Sequence, residues 1–139
     1  MPLVHITRRE HFNAAHKLWN PNWSDARNFE VFGKCANVNW HGHNYDLFVT
    51  VKGEPNPDTG CVMDLKLLST IMKSRVIDAL DHKNLNMDVP FMQNIMPSTE
   101  NLAVAIWQQL QVEVEQHGCK LHSVRLHETA NNYAEYFGE

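Results

Sequence analysis

Residues 41–52, HGHNYDLFVTVK, combine a β-strand pattern with two closely spaced histidines. Apolar and polar side chains alternate from residue 45 onward, which is the pattern of a strand with one buried face. The residues expected on that face are Tyr45, Leu47, Val49 and Val51. His41 and His43 share one side of the strand for the same reason. The stretch therefore predicts a sheet in which one strand begins with two imidazoles on the same side.

The segments on either side of this strand predict an α+β domain. The other expected strands are residues 3–13, which end near His16, and residues 61–63, 121–126 and 133–137. Two helices are expected between them, because Asp64 and Ser98 are good N-caps for the periodic apolar segments that follow. Residues 17–40 show no period and predict a long functional loop. The predicted order is ββααββ, an antiparallel sheet with two helices on one face and an open face suited to self-assembly.

Composition limits the class of protein. The chain has 139 residues, of which 43% are hydrophobic and 20% charged, so we expect one domain over residues 1–139. No apolar run is long enough to span a bilayer, and the N-terminus lacks a secretion signal, which predicts a cytoplasmic protein. A net charge of −4 with scattered Lys and Arg argues against nucleic acid as a partner. The three cysteines show no disulfide spacing.

The histidines predict a metal site. His16 ends the first predicted strand, so it can meet His41 and His43 if the two strands are neighbours. Three histidines with an open fourth position are typical of a catalytic zinc site. The alternative is that each histidine is an ordinary core or surface residue whose ring nitrogens are hydrogen-bonded to the backbone.

Cys35, Asp81 and His82 are candidates for acid–base chemistry. Cys35 is suited to be a fourth metal ligand, or a nucleophile or base near the metal, and spacing alone does not choose between these roles. Asp81 and His82 are adjacent and able to form a proton-transfer pair. The simpler interpretation of the pair is that it ends a helix.

Glu128, Thr99 and Glu100 are candidates for binding. Glu128 lies at the end of a predicted strand, where its carboxylate could accept hydrogen bonds from a flat, guanidine-like edge of a ligand. A solvated carboxylate is the simpler alternative. For Thr99 and Glu100 the corresponding alternative is helix capping.

Together these segments resemble the 6-pyruvoyl-tetrahydropterin synthase family along nearly the whole chain. The matching motifs are residues 11–16 (HFNAAH), 33–35 (GKC), 41–45 (HGHNY), 63–65 (MDL), 80–85 (LDHKNL), 98–101 (STEN) and 127–129 (HET). The resemblance implies the tunnelling fold, with barrel-forming trimers stacked into a homohexamer and active sites at subunit contacts. It also implies 7,8-dihydroneopterin triphosphate as the substrate, with magnesium accompanying the triphosphate.

The resemblance also implies roles for individual residues. Zinc would be bound by His16, His41 and His43. Cys35 would be the base rather than a ligand, and Asp81 and His82 would complete a proton relay. Glu128 would anchor the pterin ring, with Thr99 and Glu100 beside it.

Two further alternatives stay open. The five residues between Cys35 and His41 are similar to the tetrahydrobiopterin branch, whereas the queuosine branch of 6-carboxytetrahydropterin synthases typically has three. A non-catalytic zinc- and pterin-binding protein is a candidate of another class, but it would have no use for the cysteine and the proton relay. The sequence does not identify the residues that hold the triphosphate. The candidates are Lys17, Arg27, Lys34 and Lys83.

Overall fold

The computed structural model describes all residues from Met1 to Glu139, which fold around a five-stranded sheet. The strands are β1 (Val4–His16), β2 (His41–Gly53), β3 (Lys83–Asn84), β4 (Lys120–His127) and β5 (Tyr133–Tyr136). Their order across the sheet is β3-β1-β2-β4-β5. All neighbours are antiparallel except β3, which runs parallel to β1 over two residues.

The helices are α1 (Asp25–Phe32), α2 (Leu65–Met72), α3 (Asp78–Leu80) and α4 (Thr99–Glu115), and a π-helical turn (Lys73–Ile77) joins α2 to α3. Of these, α2, α3 and α4 pack on one face of the sheet. The Asp64 and Ser98 side chains accept hydrogen bonds from backbone amides in the first turns of α2 and α4, so both predicted caps are confirmed. The α+β layering is confirmed as well. None of the helices is long and apolar enough to cross a membrane.

The strand register places the histidines at one end of the sheet. His16 pairs with His41, and Ala14 pairs with His43, across the β1–β2 ladder. Because side chains alternate, these histidines lie on the same face as the buried residues Phe12 and Tyr45. β4 runs beside β2 and brings its own end, just before Glu128, to the same end of the sheet.

Three local predictions were incomplete or wrong. Residues 17–40 contain α1 and a 3-10 turn (Gly33–Ala36), although α1 has only one buried residue, Asn28. Residues 61–63 do not form a strand; a turn closed by the Asn56 amide and the Cys61 carbonyl leads directly to the cap of α2. The short strand β3 was not predicted, because it depends on a two-residue pairing with β1.

Glu10 links β1 to α2 and gives a stability prediction. Its carboxylate accepts hydrogen bonds from Ser69 Oγ at 2.6 Å and Arg8 Nε at 3.0 Å. Partial burial acts to raise the pKa of Glu10, but these hydrogen bonds, together with the positive charges of Arg8 and Lys73, outweigh it and the pKa is lowered. Glu10 therefore stabilises the fold above its usual pKa, and this contribution is lost as pH falls through the lowered value.

We expect Glu10→Gln to cost about 1 kcal/mol of unfolding free energy at pH 7. The difference from the wild type should shrink as the pH falls below about 4, because protonated glutamate and glutamine are both neutral. Urea unfolding over a pH series measures this, with the exposed Glu30→Gln as the matched control. A difference that does not change with pH would show that the charge of Glu10 is not responsible.

Candidate metal centre and the pocket beside it

His16, His41 and His43 form a cluster of possible metal ligands. One nitrogen of each ring lies within 4.8 Å of the others. The Nε2 atoms of His16 and His41 are 2.9 Å apart, and His16 is 1% exposed. The predicted cluster is therefore assembled within one chain, and the sulfur of Cys35 is not part of it.

The hydrogen bonds of the cluster favour a cation. His16 Nδ1 lies 2.8 Å from the carbonyl oxygen of Pro97. Because a carbonyl only accepts, Nδ1 carries the proton and Nε2 keeps its lone pair facing the other rings. His41 Nδ1 and His43 Nε2 are buried without a hydrogen-bond partner, which costs about 1–3 kcal/mol for each group left unsatisfied. Three imidazoles that meet in this way, two of them with an unsatisfied nitrogen, fit zinc.

The protonation state of the rings agrees with this arrangement. Burial lowers the pKa of His16, His41 and His43. The negative charge of Glu128 acts in the opposite direction on each pKa but does not cancel the effect of burial. The rings are therefore neutral near pH 7, which is the form that binds metal.

Glu128 joins the cluster to a neighbouring pocket. Its Oε1 atom lies 2.9 Å from His43 Nε2 without the alignment of a hydrogen bond. Its Oε2 atom accepts a hydrogen bond from the buried hydroxyl of Thr99, the first residue of α4. A pocket of about 490 Å³ opens beside them, lined by Glu100, Asn132 and Tyr133 among others. The structure thus brings the three predicted binding residues to one place.

Cys35 is half-buried in the 3-10 turn that follows α1. Its carbonyl oxygen accepts a hydrogen bond from the Leu18 amide at 2.8 Å, which ties the turn to the residues after His16. Partial burial and then the negative charge of Glu128 raise the pKa of the Cys35 thiol. The thiol is therefore protonated near pH 7, and a nearby cation would act to lower its pKa.

Two residues of the site were not identified from the sequence as functional. Tyr45 was expected only as a core residue, yet its buried hydroxyl has no partner and its ring stands edge-on to His16 and His43. Burial and then the charges of Glu128 and Cys35 raise the pKa of Tyr45, so the hydroxyl remains a donor. Pro97 contributes only its carbonyl oxygen, and a backbone group carries no sequence signal.

Asp81 and His82 lie apart from the cluster. The Asp81 carboxylate accepts a hydrogen bond from the Asn13 amide at 3.0 Å and lies 3.0 Å from His82 Nδ1. The hydrogen bond from the Asn13 amide contributes most to lowering the pKa of Asp81. The His82 side chain is 76% exposed and borders a cavity of about 590 Å³ that is also lined by Asn13 and Asn44. Ala14, Gly42 and His43 also line this cavity, so it borders one of the three histidines. Neither Asp81 nor His82 belongs to the cluster of possible metal ligands.

Comparisons with known proteins agree with this geometry. The family model of 6-pyruvoyl tetrahydropterin synthase matches residues 5–139. The 6-pyruvoyl tetrahydrobiopterin synthase of Pongo abelii is 48% identical over 134 residues, 96% of this chain and 91% of that protein. The 6-carboxy-5,6,7,8-tetrahydropterin synthase of Aquifex aeolicus is 28% identical over 94% of this chain and 96% of that protein.

The fold is shared with a solved member of the same group. The structure of Caenorhabditis elegans 6-pyruvoyl tetrahydropterin synthase superposes with a TM-score of 0.92 at 40% sequence identity, covering 100% of this chain and 98% of that one. The predicted tunnelling fold is therefore confirmed.

Proposed function

Because the chain belongs to the 6-pyruvoyl tetrahydropterin synthase family, we propose that it is a zinc-dependent lyase that converts 7,8-dihydroneopterin triphosphate to 6-pyruvoyl-tetrahydropterin. The observation that carries this proposal is the three-histidine cluster in contact with Glu128, whose carboxylate borders a pocket. The names of the relatives and the five-residue spacing between Cys35 and His41 support the 6-pyruvoyl product over the 6-carboxy product.

The reaction requires proton transfers and no external reductant. A proton leaves a side-chain carbon of the substrate and the carbon–oxygen bond to the triphosphate breaks, so triphosphate departs. Two further hydrogens move from the side chain to the pyrazine ring, which is reduced while the side chain becomes a diketone. Zinc bound by His16, His41 and His43 would supply Lewis-acid polarisation of the side-chain hydroxyl groups.

The residues of the chain position the substrate and move its protons. Glu128, held by Thr99, accepts hydrogen bonds from the NH groups of the pterin, and Glu100 lines the same pocket. Cys35 accepts the side-chain proton as a thiolate. His82, oriented by Asp81, donates and accepts protons as the ring is reduced. Magnesium accompanies the departing triphosphate.

The position of Asp81 and His82 bears on the oligomeric state. In one chain neither residue belongs to the histidine cluster, and the His82 side chain is exposed. The free edge of β5 and the open face of the sheet offer surfaces for a second copy. We therefore propose that a homohexamer brings this pair from one subunit to the metal centre of another. Sedimentation of the zinc-loaded protein tests the assembly, and a monomer would contradict it.

Product analysis tests the proposed function. The zinc-loaded protein is incubated without oxygen with 7,8-dihydroneopterin triphosphate and magnesium, and the pterin product is identified by mass. Formation of 6-pyruvoyl-tetrahydropterin with released triphosphate supports the proposal. A 6-carboxy product with acetaldehyde would assign the chain to the queuosine branch. Binding of a pterin without turnover would favour a non-catalytic binding protein.

Replacing Glu128 by glutamine tests the pterin anchor. We expect the affinity for biopterin, a pterin without phosphate, to fall roughly 10- to 100-fold, because hydrogen bonds to a carboxylate are lost. Fluorescence titration measures this affinity, and metal analysis should show that zinc is retained. Glu30→Gln, an exposed position on α1, is the matched control. An unchanged affinity for biopterin would remove Glu128 from the pterin site.

A further inference from the structure

A polar cavity of about 590 Å³ opens beside β3. Only two of its ten lining residues, Ala14 and Ala15, are hydrophobic. The polar side chains around it are those of Asn13, Asn44, His82, Lys83, Asn84 and Asp88. Because polar groups lose their hydration when a ligand covers them, such a cavity suits a ligand that replaces those hydrogen bonds.

Most of these side chains can donate hydrogen bonds. Asn13 and Asn44 are partners across the β1–β2 ladder, and each carries a side-chain NH₂ group. The Lys83 ammonium group has three donors and no acceptor. His82 Nδ1 faces the Asp81 carboxylate at 3.0 Å, so Nε2 is the ring nitrogen left for a ligand. The cavity therefore offers several donors to one ligand, as an anion with many oxygen atoms requires.

Lys83 adds a positive charge that no acidic side chain pairs with. No carboxylate lies within 4.0 Å of its Nζ atom, although four other basic residues have such a partner. Asp88 is the one acidic residue of the lining, and its Oδ2 atom accepts a hydrogen bond from the Asn84 amide at 3.0 Å. The Asp88 carboxylate is thus bonded to the backbone of the same turn, and the Lys83 ammonium group is free to bind an anion.

The backbone around Lys83 is held against β1. Lys83 pairs with Ala14 in the short parallel ladder of β3. On either side of it, the His82 amide donates to the Asn13 carbonyl oxygen at 2.7 Å, and the Leu85 amide donates to the Ala15 carbonyl oxygen at 2.8 Å. Binding of a ligand therefore needs to order only the lysine side chain, which lowers the entropic cost.

Two residues connect the cavity to the proposed reaction. His82, the proposed proton donor and acceptor, lines it. So does His43, a member of the histidine cluster whose Nε2 atom lies 2.9 Å from Glu128. Of the four basic residues that the sequence offers for the triphosphate, only Lys83 lines this cavity. An anion bound here would lie beside groups that act on the substrate, whether the zinc belongs to the same chain or to a neighbour.

We propose that this cavity, with Lys83 as its charged residue, is the subsite for the phosphate groups of the substrate. The inference rests on the proposed function, because it assigns one part of that substrate. An ammonium group is a compact charge that binds phosphate oxygens, and side-chain amides donate to further oxygens of the same group. With the pterin ring bound at Glu128, the subsite holds the departing triphosphate next to His82.

Inorganic triphosphate with excess magnesium is the probe, and calorimetry on the zinc-loaded protein measures its affinity. We expect Lys83→Gln to weaken its binding roughly 10-fold, because one charge-assisted contact is lost. Lys83→Arg should retain most of the affinity, because it keeps the charge. The matched control is Lys66→Gln, an exposed lysine at the start of α2 that is not part of the cavity.

A second variant tests the cavity rather than the lysine alone. Asn44→Asp keeps the size of the side chain but places a carboxylate in the lining, so it should weaken triphosphate binding at least as much as Lys83→Gln. Metal analysis should show that zinc is retained. Biopterin should bind Lys83→Gln as it binds the wild type, which also shows that this variant is folded.

Three results would overturn the inference. The first is a wild type that does not bind inorganic triphosphate, and the second is equal triphosphate affinity in the wild type and Lys83→Gln. The third is an equal loss of triphosphate and biopterin binding in Lys83→Gln, since a phosphate subsite should not hold the ring. Both probes are measured without turnover. A wild type that forms no product but binds triphosphate through Lys83 would therefore refute the proposed function and leave the anion site established.

Discussion

His41→Ala is expected to release zinc and abolish turnover. The wild type should hold about one ion per chain, because three imidazoles of one chain converge on one point. Loss of a residue that only hydrogen-bonds to a metal ligand lowers metal affinity roughly 10- to 100-fold, and removing one of the three ligands should lower it further. Metal analysis after dialysis against a weak chelator measures the zinc content, and product formation measures activity.

The control for this variant is His117→Ala. His117 is exposed in the turn after α4 and is not part of the cluster, so its removal should leave zinc content and activity unchanged. Circular dichroism should show that both variants are folded. If His41→Ala still held stoichiometric zinc, the assignment of the ligands would be wrong.

Cys35→Ala should separate chemistry from binding. We expect kcat to fall roughly 10²- to 10⁴-fold, because a positioned base is lost from the proton transfer. Zinc content and biopterin affinity should not change, because the Cys35 sulfur is outside the ligand cluster. Steady-state kinetics measures kcat, and fluorescence titration measures the affinity for biopterin on the same preparation.

Cys61→Ala is the matched control, because Cys61 is exposed in the turn before α2 and far along the chain from the site residues. It should have the activity of the wild type. Full activity in Cys35→Ala would exclude Cys35 as the base. Loss of zinc in that variant would instead restore the alternative in which its thiolate is a ligand.

Much of the sheet and of the metal cluster could be predicted because their signals are local. The alternation along β2 fixes which residues are buried, and the same alternation places His41 and His43 on one side. The caps Asp64 and Ser98 could be identified from the residue type and the periodic segment that follows. The pairing of His16 with His41 is not local, because it depends on which strands are neighbours in the sheet.

Helix α1 could not be predicted, because its sequence has no apolar stripe. The buried Asn28 side chain holds this segment in place instead. Its Oδ1 atom accepts a hydrogen bond from the Asn20 amide, and its Nδ2 atom donates to the carbonyl oxygens of Asn20 and Ser24. Such contacts depend on the folded path of the chain. The absence of periodicity in residues 17–40 therefore predicts a loop, although Ser24 is a regular N-cap.

The location of Asp81 and His82 also required the structure. Their position beside β1 is set by the two-residue pairing of β3 with β1 and by the hydrogen bond from the His82 amide to the Asn13 carbonyl oxygen. His82 has a φ of 61°, which a sequence pattern does not indicate for a histidine. Their roles are predictions, as is the role of Cys35, which the Cys35→Ala variant tests.

Zinc titration of turnover tests the central claim that the histidine cluster is the centre of a pterin lyase. Metal-free protein is supplied with increasing zinc, and triphosphate release from 7,8-dihydroneopterin triphosphate is followed at each step. We predict that the metal-free protein is inactive, that the rate rises in proportion to bound zinc, and that it levels off at about one ion per chain. Triphosphate release that does not depend on bound zinc would contradict the account.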